Sequence, residues 1–283
     1  MGESMSSSIL DSVVRHPERA PIPHILHQTW RSAQLPRPFA DWRAAWRNLH
    51  PHWQHRFYDD ADIRCLIAGR APWLLSTHDR LPRQIQRVDL FRYLIVFLDG
   101  GLYADIDMIP YQTIDPLLDG ASCVLCVEHK VRRYRQRRLG YRIPWQLGTS
   151  IFAAAPNHPF LAELIERIAE KATTRVSADD DVLQSTGPYM FSRTAYDLPS
   201  SRRGAVRILP QITWMPPAEY PRVGFLRRRI YTRHAATGVW RSAPRWVTMW
   251  HHLKEWNRWP NPFAVTGPKL PDDEPALAKR PLQ

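Results

Sequence analysis

The sequence predicts an α/β fold in which helices flank both faces of a mostly parallel sheet. Short apolar segments alternate with segments of helical periodicity along the chain, and this order is typical of parallel sheets. With 283 residues, of which 44% are hydrophobic, the chain can bury one sizeable core. The clearest single segment is residues 82–98, an amphipathic helix that Gly100 and Gly101 terminate.

Each element is assigned from its hydrophobic pattern and from the turn residues that flank it. The strands are predicted at residues 22–29, 52–59, the segment ending in Asp105-Ile106-Asp107, 121–128, 148–154, 205–209 and 245–251. The helices are predicted at residues 39–50, 60–69, 82–98, 158–172 and 179–196. Residues 1–20 are expected to form a tail, residues 21–262 one domain, and residues 263–283 a Pro-rich, disordered tail.

The helix at residues 82–98 carries one apolar stripe and one polar pair. The stripe consists of Ile85, Val88, Phe91, Ile95 and Leu98. Asp89 and Arg92 lie three residues apart on a neighbouring face, so their side chains are helical neighbours. We therefore expect this pair to face a site and the stripe to face the core.

Asp105 and Asp107 follow directly after this helix and its glycine stop. Side chains alternate along a strand, so both carboxylates are expected on one side and Ile106 on the other. Paired carboxylates at a strand end suit a hard cation such as Mg²⁺ or Mn²⁺, which can in turn hold a diphosphate. Ligands of parallel sheets bind at the carboxyl ends of the strands, where this pair is placed.

The cysteines and the hydropathy pattern indicate the cellular compartment in which the protein is expected. Cys123 and Cys126 form a C-x-x-C within an apolar segment, and no second ligand pair occurs at zinc spacing, so we expect two buried structural residues. Three cysteines do not make a disulfide framework. No apolar run approaches the length of a membrane-spanning helix, and the first residues lack a secretory pattern. These features predict a cytoplasmic protein.

The charge balance is strongly basic. Thirty-nine Lys and Arg against 27 Asp and Glu give a formal net charge of +12, concentrated in residues 130–142 and 225–234. Such clusters bind anionic lipid or a phosphorylated acceptor, or form solvated surface. Nucleic acid is not expected, because no recognisable nucleic-acid-binding module accompanies the charge.

Three motifs in order resemble the DXD sugar-binding glycosyltransferases. The first is IPHILHQTW, residues 22–30, which resembles their opening strand. The second joins Asp-x-x-Arg at residues 89–92, Gly-Gly, a hydrophobic-Tyr pair and Asp-x-Asp. The third and weaker motif is His251-His252. The family includes yeast α-1,6- and inositol-phosphoceramide mannosyltransferases and, distantly, clostridial glucosylating toxin domains. The resemblance implies a GT-A type nucleotide-sugar-binding fold.

The resemblance also implies roles for individual residues. His27, Gln28 and Trp30 would lie at the nucleobase, and Asp89 and Arg92 would hold the donor sugar and diphosphate. Asp107 would bind the metal, while Asp105 would contact ribose or the sugar, or the metal through water. A third metal ligand would come from His252 or His251. Glu255 is an alternative ligand or hydrogen-bond partner, and Trp256 would cover the diphosphate.

The activity implied is metal-dependent, retaining transfer of a hexose, with Asp105, Asp107 and Arg92 as the catalytic residues. The cofactor would be Mn²⁺ or Mg²⁺, the donor a UDP- or GDP-sugar, and the acceptor a glycan or a lipid-linked molecule. Thr149 or Ser150 replaces a common Asn of the family, and the Thr-Gly-Pro loop at residues 186–188 would approach the acceptor or simply connect helices. The alternative is a non-catalytic module that binds sugar nucleotides or anionic glycans. Residues 130–142 would contact an anionic membrane surface.

Overall fold

The computed structural model describes residues 20–172, 178–200, 206–217, 224–236 and 267–269. The strands are β1 (Ile25–Thr29), β2 (Gln54–Tyr58), β3 (Gly101–Ala104), β4 (Met108–Pro110), β5 (Cys123–Lys130), β6 (Trp145–Leu147), β7 (Ile151–Ala154), β8 (Val206–Leu209) and β9 (Thr232–His234). The longer helices are α1 (Arg37–Leu49), α2 (Asp60–Arg70), α3 (Leu75–Arg80) and α4 (Gln84–Asp99). They are followed by α5 (Asp115–Leu118), α6 (Arg133–Leu139), α7 (Pro159–Lys171), α8 (Asp179–Ser185), α9 (Pro188–Asp197) and α10 (Gln211–Trp214). Two 3₁₀ segments span Pro72–Leu74 and Gly224–Arg229.

One mixed sheet organises the described part of the chain. Its order is β2-β1-β3-β7-β5-β6, and β8 also pairs with β5. Strand β1 is parallel to β2 and β3, β7 is antiparallel to β3 and β5, and β8 is parallel to β5. Hence β1, β2, β3, β5 and β8 run in one direction, against β6 and β7. The predicted α/β class and mostly parallel sheet are confirmed.

Both faces of the sheet are covered, as alternating strand residues show. Tyr103 and Phe152 belong to a cluster with the apolar residues of α4, α7 and α9. Their neighbours Leu102 and Ala153 belong to a second cluster that includes Trp46 of α1. Two apolar cores on opposite faces therefore fix the register of the strands, since a slip by one residue would exchange the faces.

Helix α4 is buried more completely than the predicted stripe suggested. Residues 89–97 are all buried, whereas Ile85, Val88 and Leu98 of the stripe are only partly buried. The predicted glycine stop is confirmed: Gly100 has φ 67° and Gly101 has φ 104°, a region that favours glycine. A Cβ at Gly101 would also clash with the carbonyl oxygen of Ile25, so β3 enters the sheet tightly against β1.

Several boundaries differ from the sequence prediction. The single helix predicted at 179–196 is two helices, because Pro188 starts a new helix at N1 after Gly187. The strand predicted to end in the acidic pair stops at Ala104. Helix α6 and the short strands β4, β6 and β9 were not predicted. The strand predicted at 245–251 lies outside the described residues, as do most residues of the two predicted tails.

The remaining structural expectations concern the cysteines and the membrane. Cys123 and Cys126 are free and buried in β5, and burial raises the pKa of both thiols, so they pack as small apolar side chains. None of the described helices combines the length and the apolar character needed to cross a bilayer.

Candidate active site

The acidic pair lies in a turn between two strands, which corrects the predicted strand geometry. We call Asp105–Asp107 the DXD turn. The backbone N–H of Met108 donates to the carbonyl oxygen of Asp105 at 2.9 Å and closes the turn. The N–H of Asp105 donates to the carbonyl oxygen of Ser150 at 2.7 Å, which anchors the turn to the loop before β7. Ile106 is buried as expected, and a carboxylate oxygen of Asp105 lies within 4.8 Å of one of Asp107.

A histidine that the sequence analysis did not select completes this acidic cluster. Strand β9 pairs antiparallel with β4, and Met108 is the register partner of His234. The N–H of Ala235 donates to the carbonyl oxygen of Asp107 at 2.9 Å. His234 Nε2 consequently donates to Asp107 Oδ1 at 3.1 Å. The two-stranded unit of β4 and β9, which we call the ribbon, therefore brings together residues 127 positions apart.

Asp105, Asp107 and His234 fit a divalent cation. One potential ligand atom from each lies within 4.8 Å of the others. Two carboxylate oxygens and one imidazole nitrogen suit Mn²⁺, and the carboxylates also suit Mg²⁺. Burial lowers the pKa of His234, but the hydrogen bond to Asp107 and the charges of Asp107, Asp105 and Glu128 raise it overall. The acidic groups around His234 thus favour positive charge at this position.

Arg92 joins helix α4 to the DXD turn through a buried charge network. Its Nη2 atom lies 3.3 Å from Asp89 Oδ1 and 3.4 Å from Asp105 Oδ1, and its Nη1 donates to the carbonyl oxygen of Thr149 at 3.0 Å. The guanidinium also lies 4.8 Å from the ring centroid of Tyr103. The Arg92 side chain is only 4% exposed. The expected Asp89–Arg92 pair is therefore present, but it is buried and not on an open pocket wall.

The pKa values in this network follow from burial and charge. Burial raises the pKa of Asp89 to about 6, although the charge of Arg92 and a hydrogen bond from Thr186 oppose the rise. Burial raises the pKa of Asp105 as well, again against the charge of Arg92. Burial alone would lower the pKa of Arg92, but the charges of Asp105 and Asp89 raise it overall. One arginine thus compensates two carboxylates in a poorly solvated place.

Hydroxyl groups complete the network. Tyr103 donates to Asp105 Oδ1 at 2.9 Å, and its oxygen lies 2.8 Å from Thr29 Oγ1. Thr186 Oγ1 donates to Asp89 Oδ2 at 2.8 Å. Thr186 belongs to the Thr-Gly-Pro loop, in which a Cβ at Gly187 would lie 2.9 Å from the Cα of Leu183. That loop therefore packs tightly between helices and orients Asp89.

The predicted nucleobase residues divide into buried and exposed groups. His27 is fully buried; its Nε2 donates to the carbonyl oxygen of Gly100 at 2.9 Å, and its Nδ1 accepts from Tyr58 Oη at 3.0 Å. Both ring nitrogens are engaged in the core, so the expectation that His27 binds the donor is corrected. Gln28 is also buried, and its Nε2 has no hydrogen-bond partner among the described residues. Trp30 is half-buried against Phe39, with 4.7 Å between ring centroids, and stays a candidate for base stacking.

The predicted C-terminal residues are not placed by the structure. His251, His252, Glu255 and Trp256 lie outside the described residues. Within the described ranges, His234 takes the position predicted for the third ligand. Its sequence context, RRRIYTRH, predicts a basic cluster for anionic lipid, a phosphorylated acceptor or solvent, and gives no indication of a metal ligand. The pairing of β4 with β9 has no local sequence signal, so His234 could not be selected from spacing.

The comparisons with known proteins agree with this geometry. Residues 36–124 match the family described as "Glycosyltransferase sugar-binding region containing DXD motif". The matched segment includes Asp89, Arg92 and the DXD turn. This segment is therefore similar to the DXD sugar-binding region of glycosyltransferases. The resemblance predicted from the motifs is confirmed.

Curated relatives come from yeasts. Inositol phosphoceramide mannosyltransferase 3 of Schizosaccharomyces pombe is 30% identical over 187 residues, which cover 65% of this chain and 48% of that protein. Inositol phosphoceramide mannosyltransferase 1 of the same organism is 26% identical, covering 74% of this chain and 62% of that protein. The initiation-specific α-1,6-mannosyltransferase of Candida albicans is 24% identical, covering 64% and 54%. The chain thus spans about half the length of the curated relatives it matches.

Solved structures with a similar chain trace include toxin domains. The UDP-bound glycosyltransferase domain from the YGT toxin has a TM-score of 0.45 and 10% identity, covering 67% of this chain and 80% of that chain. The PaToxG glycosyltransferase has a TM-score of 0.44 and 14% identity, covering 66% and 74%.

Proposed function

We propose that this chain transfers a mannosyl residue from a nucleotide-linked donor to a hydroxyl group of a glycan or a lipid-linked acceptor. The observation that carries the proposal is the cluster of Asp105, Asp107 and His234, held beside the buried Arg92–Asp89 pair inside the matched DXD region. The named mannosyltransferases among the relatives support the choice of sugar. The donor nucleotide is GDP or UDP.

Each group in the site has a definite task in this proposal. Asp107, His234 and Asp105 would hold Mn²⁺ or Mg²⁺. When bound, such an ion neutralises the negative charge of a departing nucleoside diphosphate. The charge of Arg92 opposes the rise in the pKa of Asp105 that burial causes and orients its carboxylate, and Trp30 offers its indole to the nucleobase.

The stereochemical course that we propose is retention, which follows from the resemblance. The bond between the anomeric carbon and the diphosphate oxygen breaks, and the acceptor oxygen bonds to that carbon from the same face. The acceptor proton passes to the departing phosphate oxygen, so no enzyme nucleophile is required. Preorganised charges around the DXD turn would stabilise the developing diphosphate.

A donor panel tests the proposal directly. Purified protein is incubated with UDP- and GDP-sugars and Mn²⁺, and nucleotide release is measured with and without EDTA. We expect release from one donor, its loss in EDTA, and its loss in Asp107→Asn and His234→Ala. Nucleotide binding without release from any donor would instead identify a non-catalytic sugar-nucleotide module. An α-linked product by NMR would support retention, and a β-linked product would contradict it.

We further propose that the protein works at the cytoplasmic face of a membrane, attached through residues 130–142. Arg133 and Arg137 are exposed on α6, and Tyr134 between them is 65% exposed. Other basic residues of this segment have internal partners: Arg135 and Arg138 lie 3.5 and 3.3 Å from Asp180. Only part of the segment is therefore available for anionic lipid, at about 1 kcal/mol per basic residue near the surface.

A further inference from the structure

A fourth carboxylate, Glu128, lies at the same edge of the sheet as the DXD turn. Val124 and Leu102 both pair with Ala153, and Glu128 and Ile106 each lie four residues further along the chain. Strand β5 runs in the same direction as β3, with β7 between them. Two strand spacings of about 4.8 Å separate their backbones by about 10 Å. Glu128 and the DXD turn therefore both follow the carboxyl ends of strands that run in one direction, where ligands of such sheets bind.

The backbone changes register where Glu128 lies. Strand β5 pairs with β6 through Val127 and Leu147, and then shifts register between Val127 and His129. Such irregularities redirect side chains and are frequent beside active sites. The five residues of β5 that precede Glu128 are all buried, whereas the Glu128 side chain is 35% exposed. An otherwise apolar strand thus ends by presenting a carboxylate to solvent at the site.

Two glutamines hold Glu128 in place, one through its carboxylate and one through its backbone. Gln146 Nε2 donates to Glu128 Oε2 at 2.6 Å, and Gln211 Nε2 donates to the backbone oxygen of Glu128 at 2.5 Å. His129 Nδ1 lies 3.9 Å from the same carboxylate oxygen. Gln146 is 3% exposed, and its Oε1 has no hydrogen-bond partner among the described residues. A buried acceptor left unpaired costs about 1–3 kcal/mol. The stability of the fold therefore does not by itself explain why Gln146 is placed against Glu128.

The loop between Glu128 and the Arg92 network contains a glycine, Gly148, at a position where a side chain would not fit. A Cβ at Gly148 would lie 2.5 Å from Met215 Sδ and 3.5 Å from the Cβ of Glu128. The next residue, Thr149, supplies the carbonyl oxygen that binds Arg92. The residue after that, Ser150, supplies the carbonyl oxygen that binds the N–H of Asp105. Glu128 therefore packs beside the loop that anchors both Arg92 and the DXD turn.

We propose that Glu128 is an acceptor-binding residue, whose carboxylate accepts hydrogen bonds from hydroxyl groups of an uncharged hexoside. The inference rests on the proposed function and specifies the acceptor side of that site. An ionised carboxylate accepts from sugar hydroxyls with charge-assisted bonds. It also repels anionic acceptors, since Asp105 and Asp107 already make the site electronegative. The hydroxyl-bearing part of the acceptor is therefore neutral, even where a lipid elsewhere in the molecule is charged.

The test separates acceptor binding from donor chemistry. Glu128→Ala and Glu128→Gln are compared with Glu170→Ala, which removes an exposed carboxylate on α7. With GDP-mannose or UDP-glucose as donor and methyl α-mannopyranoside as acceptor, we expect Glu128→Ala to raise the acceptor KM roughly 10-fold or more, the factor for a lost charge-assisted hydrogen bond. Nucleotide release to water and nucleotide affinity should stay within about twofold of wild type. Glu128→Gln, which keeps one acceptor oxygen, should be intermediate.

A binding measurement does not depend on turnover. Saturation-transfer NMR should detect methyl α-mannopyranoside on the wild-type protein with nucleotide and diamagnetic Mg²⁺, and should lose it in Glu128→Ala but not in Glu170→Ala. Glycoside binding that requires Glu128, in a protein that cleaves no donor, would refute the proposed function and uphold this inference. Normal transfer with an unchanged acceptor KM in Glu128→Ala would overturn the inference alone. The inference would also be overturned if Glu128→Ala reduced donor hydrolysis as much as transfer to the acceptor. A loss of both nucleotide affinity and thermal stability in Glu128→Ala would overturn it as well.

Discussion

Replacing Arg92 by alanine should destabilise the fold as well as the donor site. The guanidinium is 4% exposed and stands between the carboxylates of Asp89 and Asp105, at 3.3 and 3.4 Å. Removing one partner of a buried ion pair costs about 3–5 kcal/mol, because the remaining charge is left unpaired. In a domain of this size each kcal/mol lowers Tm by about 2–4 °C, so we expect a drop of roughly 6–20 °C.

Differential scanning calorimetry with two reference variants measures this effect. Arg87→Ala serves as the matched control, because this half-buried arginine on the same helix donates to the carbonyl oxygen of Leu81 and lies outside the Arg92 network. It should lower Tm by a few degrees at most. Adding Asp89→Asn to Arg92→Ala removes one unpaired charge and should restore part of the loss. A Tm for Arg92→Ala within the range of the control, or no recovery in the double variant, would refute the buried-network reasoning.

Three further predictions concern pH, a glycine and the basic helix. Burial lowers the pKa of His27 from 6.5 to about 4, so its contribution to stability is complete above pH 6.5 and lost as the pH falls towards 4. The loss is about 3 kcal/mol, at 1.36 kcal/mol per pKa unit, and urea unfolding of His27→Gln should show a flatter pH dependence. Gly101→Ala, at φ 104° against Ile25, should cost about 1–3 kcal/mol of strain, whereas Gly69→Ala in open space should be neutral or stabilising; equal Tm values would contradict this. Arg133→Ser with Arg137→Ser should weaken low-salt cosedimentation with phosphatidylglycerol vesicles, and unchanged sedimentation would exclude α6 as the contact.

The sequence was sufficient wherever local patterning and packing agree. The glycine stop after α4 was predictable because only glycine tolerates the left-handed backbone at Gly100 and Gly101. Strand β7 was predictable because its four apolar residues face the two cores alternately. The Asp89–Arg92 pair was predictable from helical spacing, but its burial was not. Burial depends on Asp105 and Thr149, which reach Arg92 from other elements.

The third member of the acidic cluster shows why the remainder could not be predicted. Strands β4 and β9 have three residues each, and one of them contains a proline, so neither has a strand-like pattern. Their pairing is fixed by distant contacts, such as the hydrogen bond from Thr232 Oγ1 to the carbonyl oxygen of Trp214 at 2.7 Å. Similarly, the conformation of Glu128 at the exposed end of β5 depends on contacts with β6 and α10, which are distant from it in sequence.

The ribbon supplies a residue of the acidic cluster from outside the two apolar cores that stabilise the fold. Among the described residues, the buried members of the two apolar cores all precede Leu226, whereas His234 is held at Asp107 by the pairing of β9 with β4 and by the N–H of Ala235. The cores and the last residue of the cluster therefore come from different parts of the described chain. Substitutions in the ribbon can alter ion preference at little cost to folding, while those in α4 alter both together. In laboratory evolution of donor or metal selectivity, substitutions in β9 and the residues beside it are accordingly expected to be tolerated best.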